Sequence, residues 1–438
     1  MRVWLMIFGL SFSLAGCSHA QPPGPSIVWH GGNWPTYQYS ADHNAVITST
    51  DMPVSIKWTV DVGSKVNGGL AYSGGLLYVT TFDYRVLALD PGSGKTVWQH
   101  AFDNVIMSTP VVMGKTLVVG TGDNGMAAHG DEPFAYANLF QRHEPFWGRE
   151  GGDHVIALNP SNGKVRWSFH TAGEDMPSPV VIDNSVVFAN GDGHAYGVQL
   201  DSGEIQWQKA LTGIATMASA ASDNRLAFVS TCGAGLKGAT QALDEKGSSL
   251  WSAPFGDCDS APTVGNHHLY LSGVRENRLK NGYGGSPILA AVEPVTGKTL
   301  WIYRPNSAGY FTKIGSSERA IAGLYHAGAF VDALPTLDEM VSLDGDSGAI
   351  RWIMHSMAPI KMSPIAFDGF VYVGDIAGMF YKVNERTGEI AAARMFAGPF
   401  TTSPPIIVNK SIFVVNGTSV NAIPLDAFTP SASNFGSL

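Results

Sequence analysis

The chain has 438 residues and a net charge of −9, from 27 basic and 36 acidic residues, and it contains no basic run. These features argue against a nucleic-acid partner, which would require a basic patch. Charged residues make up 14% of the chain, against roughly 25% in ordinary soluble domains. Two explanations stay open: a sheet-rich protein with a surface of Ser, Thr, Asn and Gly, or a protein that works in an acidic medium.

The first 17 residues have the pattern of a bacterial targeting segment, not of a folded domain. Arg2 supplies the positive end, and residues 5–14 form an apolar stretch that is short for a permanent membrane helix. Leu14-Ala15-Gly16-Cys17 matches the lipobox, in which the cysteine is diacylated and becomes the mature N-terminus. Ser18 favours the outer membrane, so we expect a lipid-anchored protein that faces the periplasm, with residues 18–33 as a tether. A plain signal peptide is the alternative.

From residue 34 onward, the sequence is organised by a phrase that ends in tryptophan. Its first copy is Asp90-Pro91-Gly92-Ser93-Gly94-Lys95-Thr96-Val97-Trp98, and it follows an apolar run. A glycine-containing turn between two short apolar segments predicts a β-hairpin. In each copy a glycine lies four residues before the tryptophan, and a seventh copy has Ala392 in place of tryptophan. The pairs are Gly94–Trp98, Gly163–Trp167, Gly203–Trp207, Gly247–Trp251, Gly297–Trp301 and Gly348–Trp352.

The spacing of the copies predicts the fold, although length alone would suggest about three domains. A period near 40 residues, as from Trp167 to Trp207, with about four short strands per unit is typical of a β-propeller blade. Trp58 lies on a strand-like segment without a hairpin, whereas residues 403–425 supply three strands without a fourth. Pairing these two segments closes the ring and removes a free sheet edge. We therefore predict an all-β, eight-bladed β-propeller of four-stranded blades over residues 34–428, followed by a tail at 429–438.

The connections predict two different rims. The reversals between first and second strands and the glycine turns before the tryptophans are short, and they project from one rim, which we call the bare rim. The opposite rim, which we call the decorated rim, carries the connections between second and third strands and the links between blades. Since long insertions on a rigid scaffold commonly carry function, we expect function on the decorated rim. The insertions there are predicted at 123–154, 273–287, 306–318 and 326–339.

Several titratable residues are candidate ligands or acid/base groups. The largest insertion has four, without the ligand spacing of a known metal site, so aromatic packing over the channel mouth is the simpler interpretation. They are His129, Asp131, His143 and Glu144. Asp332, Asp338 and Glu339 are candidate acid/base groups, or ordinary loop carboxylates. His267 and His268 fall in a turn on the bare rim, where solvated side chains fit better than ligands.

Two cysteines remain once Cys17 is assigned to the lipid anchor. Cys232 ends a strand of the fourth unit and Cys258 opens the next unit, so both fall on the same face of a propeller, near its channel. The periplasm is oxidising, and a disulfide that closes this loop would contribute on the order of 3 kcal/mol. A Cys232–Cys258 disulfide and two buried thiols are both compatible with the sequence.

The repeated glycine–tryptophan phrase, together with Trp34-Pro35 and Ala41-Asp42-His43, resembles the pyrroloquinoline-quinone (PQQ) repeat family. That family includes quinone-dependent alcohol dehydrogenases, BamB-type lipoproteins of the outer-membrane β-barrel assembly machine, and cofactor-free hydrolases such as tetrathionate hydrolase. Three features are similar to the BamB type: the lipobox, the ending of the repeat at Ala392, and Asp257-Cys258-Asp259-Ser260-Ala261-Pro262. The last stretch resembles the family's Asp-x-Asp-x-x-Pro motif, which implies that Asp257 and Asp259 contact a barrel-forming partner.

The resemblance to the BamB type implies a non-catalytic scaffold in the outer membrane that binds a protein partner and needs no cofactor or metal. Two departures stand against it, because the Leu- and Arg-bearing docking loop of that type is not evident and the insertions are long. The alternative is a quinone-free hydrolase that uses a carboxylic acid on the decorated rim as general acid. A third possibility is a PQQ-dependent alcohol or sugar dehydrogenase, which would hold a quinone in the channel and a calcium ion on oxygen ligands. The adjacent cysteine pair of those enzymes is absent from this sequence.

Overall fold

The computed structural model describes residue 33 and residues 36–47, 57–66, 68–122, 152–215, 217–232, 238–256, 260–274, 287–305, 323–334, 338–408 and 410–428. Eight sheets stand around a central channel, and in each the first strand is innermost and the fourth outermost. The predicted eight-bladed propeller of four-stranded blades is confirmed. In these ranges no helix has the length and apolar character needed to cross a membrane.

The first four blades follow one another in chain order. Blade 1 consists of β3 (Leu70–Ser73), β4 (Leu76–Thr81), β5 (Arg85–Leu89) and β6 (Thr96–Ala101). Blade 2 consists of β7 (Val111–Met113), β8 (Thr116–Thr121), β9 (His154–Leu158) and β10 (Val165–His170). Blade 3 consists of β11 (Val180–Ile182), β12 (Ser185–Ala189), β13 (His194–Gln199) and β14 (Ile205–Ala210). Blade 4 consists of β15 (Ala221–Ser222), β16 (Ala227–Cys232), β17 (Gly238–Leu243) and β18 (Ser249–Ala253).

The remaining blades take in two strands from the beginning of the chain. Blade 5 consists of β19 (Thr263–Gly265), β20 (His268–Val274), β21 (Pro287–Val292) and β22 (Thr299–Tyr303). Blade 6 consists of β23 (Leu324–His326), β24 (Ala329–Leu334), β25 (Glu339–Asp344) and β26 (Ile350–His355). Blade 7 consists of β27 (Ile365–Phe367), β28 (Phe370–Gly374), β29 (Met379–Asn384) and β30 (Ile390–Met395), with β1 (Val46–Ile47) on its inner edge. Blade 8 consists of β31 (Ile406–Val408), β32 (Ser411–Asn416), β33 (Ser419–Pro424) and β2 (Trp58–Asp61), and a 3-10 helix follows at Leu425–Phe428.

Ring closure occurs in blade 8, as the position of Trp58 predicted. Strand β2 pairs antiparallel with β33, with Trp58 opposite Ala422 and Asp61 opposite Ser419. The Thr59 hydroxyl also donates a hydrogen bond of 2.9 Å to the side-chain oxygen of Asn421. The first and last described segments of the ring therefore share one sheet, which removes a free edge from each.

Each tryptophan ring packs against the turn glycine of the following blade. These glycines have φ between +68° and +75°, a region that glycine enters without steric cost. A Cβ on any of them would lie only 2.5–2.9 Å from a ring atom, so the contact also requires the missing side chain. The pairs are Trp58–Gly94, Trp98–Gly163, Trp167–Gly203, Trp207–Gly247, Trp251–Gly297, Trp301–Gly348 and Trp352–Gly388.

The indole N–H of six of these rings donates to a backbone carbonyl of the same turn, as Trp98 does to Pro160 at 2.9 Å and Trp352 to Glu385 at 2.8 Å. The exception among the described rings is Trp207, whose indole nitrogen is buried without a partner. The turn that receives this ring ends at Gly247, whose N–H bonds to the Asp244 carbonyl three residues back. In the other turns the glycine N–H bonds to the carbonyl four residues back, so this turn is one residue shorter. The shorter turn removes the carbonyl that the other rings use.

Ala392 lies on the fourth strand of blade 7, at the boundary with blade 8, where a tryptophan ring would find no glycine turn to pack against. Blade 8 takes its fourth strand from the beginning of the chain, so it has no turn between third and fourth strands. The 3-10 helix occupies this junction instead, and Phe428 packs there with its ring centroid 5.5 Å from that of Phe380. The missing tryptophan is therefore a consequence of how the ring closes.

The outer edges of the blades are protected against further strand pairing. In blades 1 to 7 the fourth strand has a register shift next to the tryptophan position, as between Ala88 and Leu89 of β5 against β6. Such bulges twist an edge away from a second chain. Strand β2 pairs without such a shift. The outer wall therefore offers little for strand addition, which leaves the rims as the main surfaces.

The insertions predicted at 123–154 and 273–287 lie between second and third strands, and the one at 306–318 joins blade 5 to blade 6, so the strand ends that flank these three lie on the decorated rim. One prediction was wrong in detail. The insertion expected over 326–339 is mostly strand, because β24 runs from Ala329 to Leu334. Asp332 therefore lies within a strand, and Glu339 is the first residue of β25.

We expect Gly203→Ala to destabilise the protein more than Gly369→Ala. Both glycines have positive φ, +72° and +75°, so each substitution costs about 1–2 kcal/mol of backbone strain. At Gly203 the new methyl would also lie 2.7 Å from the Trp167 ring, whereas nothing lies within 4 Å at Gly369. Overpacking adds about 1–3 kcal/mol, so urea unfolding should show a clearly lower midpoint for Gly203→Ala. Equal midpoints would contradict the ring-on-glycine contact as a stabilising element.

Candidate functional site

One side of the central channel is lined by a piece of the chain itself. Residues 36–47, which we call the channel segment, run along the innermost strands and end in β1, which pairs parallel with β27. Four consecutive blades, the fourth to the seventh, each donate one backbone N–H to this segment. The bonds are Ser222 to the Ala41 carbonyl (2.6 Å), Val264 to the Asp42 carbonyl (2.8 Å), Tyr325 to the Asn44 side chain (2.9 Å) and Ala366 to the Ala45 carbonyl (3.0 Å).

The side chains of the channel segment make specific contacts as well. The Tyr37 hydroxyl lies 2.7 Å from Ser363 Oγ, and the Gln38 side-chain amide donates to the Pro364 carbonyl at 3.3 Å. A ring nitrogen of His43 lies 3.0 Å from the Pro262 carbonyl, and its ring meets Tyr37 edge-on at 5.0 Å. Tyr37, Gln38 and His43 are all buried. The segment is therefore fixed in place by polar contacts with blades 5 and 7.

Asp332 is the most unusual residue of the inner ring. It is the fourth residue of the second strand of blade 6, and the fourth residues of all eight second strands are at most 1% exposed. Six of them are apolar, one is a serine, and Asp332 is the only ionisable member. The others are Val79, Val119, Phe188, Ser230, Leu271, Val373 and Val414. A carboxyl group at a core position is costly, which marks Asp332 as a functional candidate.

The surroundings of Asp332 favour its protonated form. Burial raises the pKa of this carboxyl to about 7, against the opposing effect of a hydrogen bond from Ser272. The Ser272 hydroxyl donates to it at 2.5 Å, and the Ala333 N–H donates to its other oxygen at 2.8 Å. Burial also raises the pKa of Tyr37 in the channel segment, and the charge of Asp332 adds to this shift. A carboxylic acid that keeps its proton near neutral pH can serve as a general acid.

A second group of buried acids lies between blades 2 and 3, on the decorated rim. Asp175 is 1% exposed, and the Thr171 hydroxyl donates to it at 2.5 Å. Burial raises the pKa of Asp175 well above its usual value, and the charges of Asp153 and Asp192 raise it further. The Tyr196 hydroxyl donates to Asp192 at 2.5 Å. Sequence reasoning missed this group, because its members come from three different connections and share no motif.

The other candidate residues are distributed as follows. Cys232 ends β16, while Cys17, Asp257, Cys258 and Asp259 lie outside the described residues. The four titratable residues of the largest insertion and Trp34-Pro35 lie outside them too. The partner contacts predicted for Asp257 and Asp259 and the possible Cys232–Cys258 disulfide therefore stay predictions.

The two remaining pairs of candidates lie on opposite rims. His267 lies in the bare-rim turn between β19 and β20, and His268 is the first residue of β20 and bonds to the carbonyl of Asn266 at 2.8 Å. Asp338 directly precedes the third strand of blade 6 on the decorated rim and Glu339 begins it. Burial and the charge of Asp375 raise the pKa of Asp338. Neither pair comes close to the channel segment through a described contact.

The described residues supply no cluster of acidic or histidine ligands for the calcium ion that accompanies PQQ. Among them no three His, Cys, Asp or Glu side chains come together in a way that could hold a metal ion. The inner strands of blades 4 to 7 each donate one backbone N–H to the channel segment. No step of a quinone reaction can be derived from these residues.

Comparison with known proteins gives relatives of more than one kind. The family model described as "Outer membrane protein assembly factor BamB" matches residues 44–132 and 139–253. Tetrathionate hydrolase of Acidithiobacillus ferrooxidans is 24% identical over 371 residues, covering 80% of this chain and 71% of that protein. BamB of Shewanella oneidensis is 22% identical over 387 residues, covering 84% of this chain and 88% of that protein. The crystal structure of BamB from Moraxella catarrhalis superposes with a TM-score of 0.61 at 18% identity, over 86% of this chain and 98% of that one, which supports the fold.

We expect Asp332 to make the protein more stable in acid. Its raised pKa means that the folded state holds a proton that the unfolded chain, with a usual value of 3.8, releases. The stabilisation is fully present below pH 3.8 and is lost as the pH rises through about 7, by roughly 4 kcal/mol in all. Asp332→Asn should remove this pH dependence in unfolding curves taken between pH 4 and 8.

Asp344→Asn is the matched control, because hydrogen bonds from Arg351 and Ser347 lower the pKa of Asp344 to about 2. That carboxylate is ionised throughout this pH range, so its removal should leave the pH dependence unchanged. If Asp332→Asn retains the wild-type slope, Asp332 is ionised in the folded protein and the argument from its burial fails.

Proposed function

We propose that this PQQ-repeat β-propeller, which resembles BamB-type outer-membrane assembly factors, is a protein-binding scaffold in outer-membrane protein assembly. The observation that carries the proposal is the asymmetry of the ring. Residues 36–47 of the chain line the inner strands of blades 4 to 7, and the long connections leave from the decorated rim. A partner that binds this rim meets the part of the surface that differs between blades.

The rigid ring suits a scaffold. Seven ring-on-glycine contacts join successive blades, and the bulges on the outer strands disfavour uncontrolled strand addition. We further propose that Cys17 carries the lipid anchor and holds the propeller at the periplasmic face of the outer membrane. A lipid anchor raises the local concentration of a membrane-embedded partner without any new contact. Asp257 and Asp259, which precede the buried residues Ser260 and Ala261 of blade 5, are the proposed contact carboxylates.

Photo-cross-linking tests the docking face. A benzophenone amino acid at Ile376, which is 36% exposed on the decorated rim, should cross-link to an outer-membrane assembly protein in intact cells. The same probe at Met113, which is 40% exposed on the bare rim, should not. Cross-links from Met113 alone would place the partner on the bare rim and contradict the proposed docking face.

The proposed carboxylates have their own test. Replacing Asp257 and Asp259 together by asparagine should lower the yield of the Ile376 cross-link several-fold, because charge-assisted contacts typically contribute more than neutral ones. Asp201→Asn, at a turn of the bare rim, is the control and should leave the yield unchanged. An undiminished yield from the double variant would show that the partner does not use these two residues.

The second candidate function is hydrolysis, and the specific observation that favours it is Asp332. The carboxyl is buried, protonated near neutral pH and held by Ser272, and a relative of comparable similarity is a tetrathionate hydrolase. In this reading Asp332 donates a proton to the leaving group of a tetrathionate-like substrate. It would act from the inner ring of blade 6, next to the channel segment.

Incubation of the purified protein with tetrathionate separates the two functions. If the chain is a hydrolase, activity should be highest in acid, fall as the pH passes about 7, and drop at least 100-fold in Asp332→Asn, which is within the range for loss of a general acid. Asp344→Asn should keep full activity. Absence of turnover between pH 3 and 8 would rule out tetrathionate hydrolysis and leave the protein-binding scaffold as the proposed function.

A further inference from the structure

Two histidine rings meet between the third and fourth strands of blade 2, at the decorated rim. His154 is the first residue of β9 and His170 is the last residue of β10, and the two lie directly opposite each other in the ladder. Their ring centroids are 5.0 Å apart, with 53° between the ring planes. Directly opposite residues of an antiparallel pair point to the same side of the sheet. His170 is exposed and His154 is partly buried, so solvent reaches the pair.

The repeat shows that the fold does not require histidine at this position. The position lies three residues beyond the tryptophan, or beyond Ala392 in blade 7, and the described ladder reaches it in six blades. Among these six, blade 2 alone places two imidazoles opposite each other. The six pairs are Arg85–Ala101, His154–His170, His194–Ala210, Glu339–His355, Met379–Met395 and Asp61–Ser419.

The separation of the two rings suits a shared metal ion. Two imidazoles on one tetrahedral zinc ion, with Zn–N bonds of about 2.1 Å, have ring centroids about 5 Å apart. Imidazole is a preferred ligand of Zn²⁺, Cu²⁺ and Ni²⁺. The planes of His154 and His170 are inclined at 53°, so the two rings do not form a parallel stack. Their arrangement therefore fits two ligands that point toward a common ion.

The surroundings of His154 prepare one ring nitrogen as a ligand. Its Nδ1 lies 3.1 Å from the hydroxyl oxygen of Ser168, and a hydrogen bond at one ring nitrogen fixes the tautomer that leaves the other nitrogen for a metal. Its Nε2 faces the backbone of Gly152, where a Cβ would collide with it. The absence of a side chain at residue 152 therefore leaves room for this nitrogen.

The charges near the pair also suit a cation. Burial lowers the pKa of His154, and the charge of His170 lowers it further, whereas the charge of Asp103 raises it. A neutral imidazole is the form that binds a metal ion. Asp103 follows the fourth strand of blade 1, so the neighbouring blade adds a negative charge beside the two rings.

We propose that His154 and His170 bind a divalent transition-metal ion, Zn²⁺ or Cu²⁺, through their ring nitrogens, with water in the remaining positions. The ion joins the first residue of β9 to the last residue of β10 at the decorated rim. Among the described residues no three His, Cys, Asp or Glu side chains form a metal cluster, so this site has two protein ligands and an exchangeable ion.

Titration calorimetry with Zn²⁺ tests the site on the full chain after treatment with a chelator. His154→Gln and His170→Gln should each weaken binding at this site at least 10-fold, because even groups that only support a metal ligand typically contribute 10–100-fold. Over the same range of Zn²⁺ concentration, the wild type should bind one equivalent more than either variant. The metal-free thermal midpoint should stay unchanged, because both rings reach solvent.

The repeat offers matched controls. His194 in blade 3 and His355 in blade 6 occupy equivalent positions, opposite an alanine and a glutamate. His194→Gln and His355→Gln should therefore keep the stoichiometry and the affinity of the wild type. If the variants at 154 and 170 also keep both values, or if one of them alone loses the site, the proposal is overturned.

Electron paramagnetic resonance with Cu²⁺ gives a readout that needs no variant. Cu²⁺ binds nitrogen ligands more tightly than Zn²⁺, and the spectrum of the wild type should show coupling to the nitrogens of two imidazoles. His154→Gln and His170→Gln should each reduce this to one imidazole. Coupling to a single imidazole in the wild type would contradict a site shared by the two rings.

Discussion

The packing of a tryptophan ring against a glycine of the next blade is the contact on which the rest of this structure depends. It requires a residue without a Cβ, held at positive φ, directly beneath the ring. The same local phrase supplies a tryptophan ring to the following blade and a glycine to the ring of the preceding blade. Each blade therefore fixes the position of its neighbour. Seven such contacts and one closing strand determine where every loop of the protein emerges.

The beginning of the chain completes this arrangement in two ways. Residues 36–47 line one side of the channel and bind the inner strands of blades 4 to 7, while β2 becomes the outer strand of blade 8. The Trp58 ring then packs against Gly94 of blade 1. The described residues of this part of the chain, 36–47 and 57–61, therefore contact six of the eight blades. A scaffold that binds through its rim is consistent with this use of the channel, and the buried Asp332 is the feature that a scaffold alone does not explain.

The sequence made the ring predictable because every copy of one nine-residue phrase carries both a glycine that receives the ring of the preceding blade and a tryptophan that packs on the next blade. Ala392 could not be explained in advance, since its reason lies in the absent turn of blade 8. The channel segment has no periodic pattern, so nothing in its sequence signalled that its backbone would bind four blades. Asp332 was placed in a loop, but an alignment of the fourth residues of the second strands would have found it. Apolar residues such as Val79, Leu271 and Val373 occupy that position in six of the eight blades.

Closure of the ring by β2 can be measured directly with a pair of cysteines. Thr59 lies opposite Asn421, and their side chains are in hydrogen-bond contact at 2.9 Å. We expect the combined substitution Thr59→Cys and Asn421→Cys to form a disulfide under mild oxidation and to raise the thermal midpoint. The pair Thr59→Cys and Ser419→Cys, two residues out of register, should react far more slowly. If the first pair stays reduced while the second pair cross-links, the register is different, and the positions of both rims would have to be assigned again.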